Sequence, residues 1–444
     1  MSTPTPARRV AVIGGGVAGC TLAEGIQRAW PHSEVILLEG HTHLGGLSVC
    51  AQPDEIGWDR FYHVVTPQDQ HLLRWLERLG LRHRVRWRSV ATGFYTDGRL
   101  YSLTTSLDFL RFPPLGLLDK VRLGLTILYA ARTASGADLE GITAAQWLTR
   151  LSGRRTYARI WEPLLRAKLG SAHQQVAASF IWSTIRRLYA TRQGERQSES
   201  FGYISGGYAP VFETARQYLT SLGVRVRCGF PVRGAEDRGG SILLHGPEGE
   251  TVEADRVIYT GPSRLLTRIF AALPLPDALR RRADSLRYLG VICMVLKLRR
   301  AVSPYYVLNI TDPSVPFTGV IGLTTLVDPV EVGGHHLIYL PRYLPDDDPD
   351  FDRPDEAFYQ PFMAAMRQIF ARRGFVEREV ELWRIFRARY VSPLHVLHYD
   401  KLMLPVELLP GRLYLVNTGR ILSGTVNNSQ MIEEVERALP LVLA

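Results

Sequence analysis

The apolar positions of this chain change period along its length, and each change marks an element. Val10-Ala11-Val12-Ile13 is a short, wholly apolar run, as expected of a parallel strand covered on both faces. A helical run follows as far as Trp30. Val35-Ile36-Leu37-Leu38 is a second apolar run, and it ends in an acid, Glu39. Leu72 to Leu79 has apolar residues at helical spacing and stops at Gly80. From Val85 to Leu103 the alternation around Asp97-Gly98 predicts a hairpin. Residues 106–200 read as largely helical, punctuated by Pro113-Pro114, Gly136 and Gly170.

A second α/β signal then begins. Val211 to Leu222 predicts a helix ending at Gly223, and Val224 to Cys228 a strand that continues extended through Pro231-Val232-Arg233. Ser241 to Leu244 and Arg256 to Thr260 are further strands, with turns at Gly239-Gly240 and Gly246. Residues 288–345 are strand-rich, notably Val291 to Lys297 and Leu337 to Leu340. Phe362 to Arg373 predicts a helix with Pro361 in its first turn and Gly374 at its end. Near the end, Arg412 to Val416 is a strand and Gly419 a turn; Asn427-Asn428-Ser429-Gln430 opens a helix through Leu439, stopped by Pro440. Pieces of α/β pattern thus alternate with other material, which predicts two interleaved domains.

The turn between the first strand and first helix reads Gly14-x-Gly16-x-x-Gly19. One glycine makes the tight turn, one lets the backbone approach a pyrophosphate, and the third lets helix and strand pack closely. The helix-start amides, at Val17 and Ala18, have no partners within the helix and favour phosphate, as does the helix dipole. Glu39 stands where the dinucleotide fingerprint places an acid for a ribose hydroxyl, and an acid there repels the 2′-phosphate of NADP. The strand–turn–helix context makes this a dinucleotide site rather than a bland glycine turn.

Composition narrows the class. The chain has 444 residues, 46% hydrophobic and 22% charged, the profile of a globular protein with two to three domains' worth of core. Its net charge is +10, nearly all of it from arginine, since the only lysines are Lys120, Lys168, Lys297 and Lys401. The arginines are scattered, and runs such as Arg82 to Arg88 suit an exposed strand edge; nucleic-acid binding is not expected, whereas an anionic lipid or substrate fits a basic surface. Cys20, Cys50, Cys228 and Cys293 lie far apart with no C-x-x-C pair, which excludes a zinc finger or redox dithiol by spacing and suggests a reducing compartment. The first nine residues read as a polar tail with no secretory core, and no apolar run is long enough to span a bilayer. His335-His336 and His395/His398 are not at metal spacing with any acid or cysteine set, so no metal is expected.

The glycine turn, its acid, Gly45-Gly46, the Pro231-Val232 strand and the terminal glycine-to-helix segment together resemble the flavin-containing amine oxidase superfamily over nearly the whole chain. Asp59-Arg60-Phe61-Tyr62-His63, residues 112–123, Trp161 to Lys168 and Tyr203 to Tyr208 are most similar to protoporphyrinogen oxidase-like and phytoene desaturase-like members. The resemblance implies an α/β fold: a Rossmann-like FAD-binding domain interleaved with an α+β substrate-binding domain. The FAD domain is expected at 1–65, 205–287 and 388–444, the substrate domain at 66–204 and 288–387. The resemblance also implies FAD rather than NAD. Gly14, Gly16, Val17, Ala18 and Gly19 would line its pyrophosphate, Glu39 and Gly40 its adenosine ribose, and Gly45, Gly46 and Leu47 the pyrophosphate and ribityl region. Val232 would contact adenine through its backbone, while Gly261, Gly419, Arg420, Val426, Asn427 and Asn428 would approach the ribityl chain and the flavin. The Asn427-Asn428 helix start also has a physical reason, because a helix N-terminus favours an anionic reduced ring. Two departures stand out: Leu47 replaces the usual arginine, and Ile292 or Cys293 stands where the amine-oxidising branch places a lysine, with Lys297 further along.

Among possible site residues, His63 is the candidate for chemistry, the alternative being a histidine bonded in the domain interface. Tyr62 beside it faces the opposite way if the segment is extended. Trp161, Tyr203 and Tyr208 are candidate substrate-wall residues; for Trp161-Glu162-Pro163 with Arg166 and Lys168, a helix-capping and salt-bridging cluster is the favoured alternative. The dense apolar stretch 107–129 reads as a buried helix or, with Arg111, Lys120 and Arg122 at lipid headgroups, as a peripheral membrane contact. The expected activity is FAD-dependent oxidation or desaturation of a largely apolar small molecule. The alternatives are flavin-nucleophile chemistry on a sugar nucleotide, resembling UDP-galactopyranose mutase, and a flavin-binding partner protein without turnover. A cytoplasmic location is expected, with contact at the inner face of the membrane; oligomeric state is silent.

Overall fold

The computed structural model describes residues 9–51, 56–133, 136–190, 200–422 and 426–444; the polar tail expected before Arg9 lies outside them. A six-stranded sheet forms the first layer, in the order Glu407–Leu409, Leu413–Leu415, Arg256–Tyr259, Arg9–Ile13, Glu34–Leu38, Arg225–Arg227. All neighbours run parallel except the Glu407–Leu409 edge. The central strand shows why its sequence is apolar throughout. Val10 and Val12 face one core with the Val17–Ala29, Ala209–Ser221 and Asn428–Leu443 helices, whereas Ala11 and Ile13 face a second core with Phe230, Leu244 and Phe270. Alternate side chains point to opposite faces, so both sets must be apolar.

A seven-stranded sheet forms the second layer, ordered Val380–Pro393, Tyr288–Leu298, His336–Pro345, Gly319–Gly322, Val307–Ile310, Thr92–Thr96, Arg99–Ser102. Its Tyr288–Leu298 strand is buried at every position except Lys297. The Glu356–Phe370 helix packs on one face through Phe358, Phe362, Met363 and Met366. A helical layer of Leu117–Arg132, Ala144–Ser152, Glu162–Leu169 and Ala178–Ala190 shares a core with Leu289 and Leu394. The architecture is mixed α/β, as expected for a flavin-binding oxidase fold.

Several elements depart from the periodicity. Val85–Ser89 stands apart from the Asp97-Gly98 hairpin and pairs with Ser200–Ile204, a partner too remote in sequence for local pattern to reveal. Pro231 to Arg233 lie outside any strand. Pro361 sits inside its helix because the apolar face continues upstream to Phe358, and Pro440 sits inside the last helix because Ala438 and Val442 still bury against the first core. In both cases packing offsets the lost backbone donor. The 107–129 stretch is not simply buried: Leu123, Thr126 and Ala130 face inward, while Leu107, Leu110, Leu117, Leu118, Val121, Leu125 and Tyr129 are exposed. No described helix is long and apolar enough to cross a membrane.

Candidate active site

The glycine turn follows the central strand and leads into the Val17–Ala29 helix, with Gly16 as its cap. No side chain caps that helix and its first turn holds no acid, so its leading amides stay available to an anion. A Cβ on Gly19 would stand 1.8 Å from the Gly14 carbonyl oxygen, so helix and strand meet at a distance no side chain permits. Across the turn, Gly45 N donates to Gly15 O at 2.9 Å, and a Cβ on Gly46 would lie 3.0 Å from Gly16 Cα. Two bare backbones therefore face each other over a cleft open to solvent at Gly46.

Glu39 ends the neighbouring strand and is buried. Its Oε2 accepts from Gly15 N at 2.6 Å and its Oε1 from His41 N at 2.8 Å. The carboxylate thus holds the glycine turn itself and keeps lone pairs for a further donor. Phe230 N donates to Glu39 O, which brings Pro231 over Gly40, with Val232 following in the chain.

A polar cluster closes the other end of the cleft. His63 Nε2 lies 3.3 Å from Ser48 Oγ, and Asn428 Nδ2 donates to Ser48 Oγ at 3.0 Å. The Tyr208 hydroxyl hydrogen-bonds the Asn428 side chain, and its ring meets His63 edge-on at 5.2 Å. Asn427 caps the last helix by accepting from Gln430 N at 2.9 Å. Burial pushes the His63 imidazole down to about 4, so it is neutral at physiological pH. Beneath Tyr208, Asp59 accepts from the Tyr208 amide at 2.9 Å, and burial raises its carboxyl to about 8.

The sequence profile described as flavin containing amine oxidoreductase matches residues 17–426, almost the full length of this chain. The chain belongs to that family. It is an FAD-dependent oxidoreductase. Solved structures of the same fold include an Exiguobacterium sp. 255-15 protein provisionally named protoporphyrinogen oxidase, at 18% identity and TM-score 0.76, with 98% of each chain covered. Cyclohexylamine oxidase from Brevibacterium oxydans IH-35A is similar at 13% identity and TM-score 0.70, covering 99% of each chain. Reduced UDP-galactopyranose mutase is similar at 16% identity and TM-score 0.73, covering 99% of this chain and 94% of the other. No curated protein matches the sequence.

The residues of the cleft fit the FAD of this family. The uncapped helix start and the facing glycines leave donors and room where a pyrophosphate needs both. Gly261 and Gly419 are tied to one another by Asn417, whose Nδ2 donates to Gly261 O at 2.6 Å while its Oδ1 accepts from Gly419 N at 3.0 Å. Arg420 is committed elsewhere, with Nε 2.7 Å from Glu434 Oε1 in a buried pair. Leu47 is half-buried beside Ser48.

Beside the cluster, the flavoenzyme has a cavity of about 90 Å³ whose wall includes Lys168, Phe180, Leu289, Tyr343, His395 and Val426. Val426 adjoins Asn427 and Asn428, so the cavity and the polar cluster share the approach to the last helix. The Tyr62 hydroxyl lies 2.9 Å from that of Tyr343, a wall residue, while His63 turns to Ser48. His395, read from the sequence as structural, donates from Nε2 to Ile421 O at 2.8 Å and stacks on Phe180 with centroids 5.8 Å apart.

Two sequence candidates lie elsewhere. Trp161 is buried in the helical layer, its indole N–H donating to Ser152 Oγ at 3.1 Å. Tyr203 donates to Glu331 Oε1 at 2.8 Å in a shallow surface cleft with Arg86 and Arg88. Sequence reasoning passed over Ser48, Phe180 and Tyr343, which lie in segments with no local chemical signature. Ser48 had one available signal, its place just after the second glycine pair. Among the described residues, no group of side chains is arranged to hold a metal ion.

Proposed function

We propose that this flavoenzyme oxidises an apolar small molecule by removing hydrogen from one of its carbons. The observation that carries the reading is a largely apolar cavity whose lining residue Val426 directly precedes Asn427 and Asn428, the latter bonded into the His63–Ser48–Tyr208 cluster. FAD, when bound, would supply the two-electron acceptor, its N5 the hydride acceptor while the accompanying proton passes to solvent. In this reading Gly14, Gly16, Val17, Ala18, Gly19, Glu39, Gly40 and Val232 hold its adenosine and pyrophosphate, and Gly45, Gly46 and Leu47 its pyrophosphate and ribityl region. Gly261, Gly419, Val426, Asn427 and Asn428 hold the flavin half, and the same division assigns 1–65, 205–287 and 388–444 to the FAD domain.

His63, neutral and bonded to Ser48, orients the polar cluster and offers a hydrogen bond rather than a charge. The Tyr62–Tyr343 pair, Phe180 and Leu289 form a wall that excludes water and positions the substrate, which is the chief requirement of such a transfer. Mutase chemistry on a sugar nucleotide would call for arginines facing a diphosphate, and the wall holds none among the described residues. The exposed leucine face of the Leu117–Arg132 helix, flanked by the exposed Arg111, Arg122 and Arg132, supports peripheral contact with an anionic bilayer that delivers such a substrate.

The test is anaerobic titration of the purified, FAD-loaded protein with apolar candidate substrates, followed by oxidised-flavin absorbance. Bleaching without dithionite supports the proposal. Turnover of UDP-galactopyranose only after dithionite reduction would replace it with the mutase reading.

A further inference from the structure

Among the described residues, Lys168 is the one lysine or arginine in the wall of the cavity beside Val426. It lies in the last turn of the Glu162–Leu169 helix, and its Nζ lies 5.6 Å from the centroid of Phe180, another wall residue. The nearby acid is already engaged: Glu162 pairs with Arg166 at 2.8 Å and approaches His173 at 3.9 Å. The Lys168 ammonium makes no hydrogen bond or ion pair to any described residue. Its electrostatic neighbour is a like charge, Arg187, itself 3.5 Å from Asp69. An ammonium carries three donors, and on this half-buried wall they are open to solvent or to an acceptor carried by a bound molecule. Burial and Arg187 lower its proton affinity, in keeping with a charge that lacks its partner.

We propose that Lys168 binds an anionic group of the substrate, so that the flavoenzyme acts on apolar molecules carrying a single carboxylate. One lysine surrounded by Leu169, Val176, Phe180 and Leu289 suits a monoanion with a hydrocarbon or aromatic body. A carboxylate would accept from the ammonium while its body fills the cavity, and this fixes which carbon is presented for oxidation. The proposal rests on the oxidative reading of the same cavity and deepens it.

The test uses the FAD-loaded protein with two probes of equal length, hexanoate and hexan-1-ol, read as perturbation of the flavin absorbance and by calorimetry. Hexanoate is expected to bind the wild type about tenfold or more tightly than the alcohol, the difference a charge-assisted hydrogen bond makes. Lys168→Met should abolish that preference and leave hexanol affinity unchanged, and Lys168→Arg should restore part of it. Equal affinities in the wild type, binding of neither probe, or a preference that survives Lys168→Met would each overturn the assignment. The wild-type comparison stands even where a variant fails to fold. Failure of the oxidative reading is seen separately, as flavin that no apolar substrate bleaches.

Discussion

The glycine cleft and the Lys168 cavity are built from opposite materials. The cleft is backbone: Gly16 faces Gly46, the amides of Gly15 and His41 are held by Glu39, and the helix start is left uncapped. The cavity is side chain: Lys168, Phe180, Tyr343 and His395 come from two helices, one strand and the loop after another. A site made of backbone is set by the fold itself and leaves little room for substitution. A site made of side chains is free to set what this particular enzyme accepts.

Variants sharpen that contrast. Gly19→Ala should be the most damaging, because its Cβ meets a carbonyl oxygen of the strand turn that cannot swing aside. Loss of more than about nine-tenths of the bound flavin is expected, checked by the flavin-to-protein ratio after gel filtration. Glu39→Gln comes next: the amide sets an N–H₂ donor against one of two amide donors, weakening FAD affinity by about tenfold or more. Flavin-fluorescence titration of the apoprotein measures it, and unchanged affinity would break the idea that the acid braces the turn. On the membrane side, Leu118→Ser with Leu125→Ser should reduce co-sedimentation with anionic vesicles by about tenfold, while flavin content stays full. Equal sedimentation of wild type and variant removes the bilayer contact.

The smallest effect is a pH dependence under the cleft. Asp59 holds its proton up to about pH 8 when folded and loses it near 4 when unfolded, so its contribution to stability falls as pH rises across that window. His63, pushed down to about 4 when folded, acts in the opposite sense between about 4 and 6.5, where stability rises with pH. The two oppose each other below about 6.5, and from there to about 8 the Asp59 effect alone remains. Asp59→Asn keeps the acceptor for Tyr208 N, and it should flatten the decline in melting temperature between pH 6.5 and 8 by a few degrees.

What was legible in the sequence is what is determined locally. Val10 to Ile13 announces a doubly covered strand by its own composition, and Asn427 announces a helix start by its capping chemistry. Asp97-Gly98 announces a tight turn because both residues adopt positive φ, 50° and 68°. Partnerships across long separations were not legible. Val85–Ser89 finds Ser200–Ile204, and nothing near Arg86 foretells it. Pro361 and Pro440 were read as boundaries because a proline's local cost is visible while the compensating burial of Phe358 or Val442 is not. Lys168 looked like part of a salt-bridging run with Glu162 and Arg166. Only the fold separates Arg166, which takes the acid, from Lys168, which faces the cavity.

The order of strands in the first sheet has a consequence for how the molecule is made. Arg9–Ile13 pairs with Arg256–Tyr259, and Ser48 meets Asn428 across 380 residues of sequence. The Glu34–Leu38 neighbour follows the glycine turn closely, whereas the Arg256–Tyr259 neighbour and the Asn428 contact lie far along the chain. Contacts of such separation form slowly and leave unpaired strand edges exposed in the meantime. Without the Asn428–Leu443 helix in place the Ser48 side of the cleft lacks its Asn428 partner, so completing the site requires that distant helix to dock.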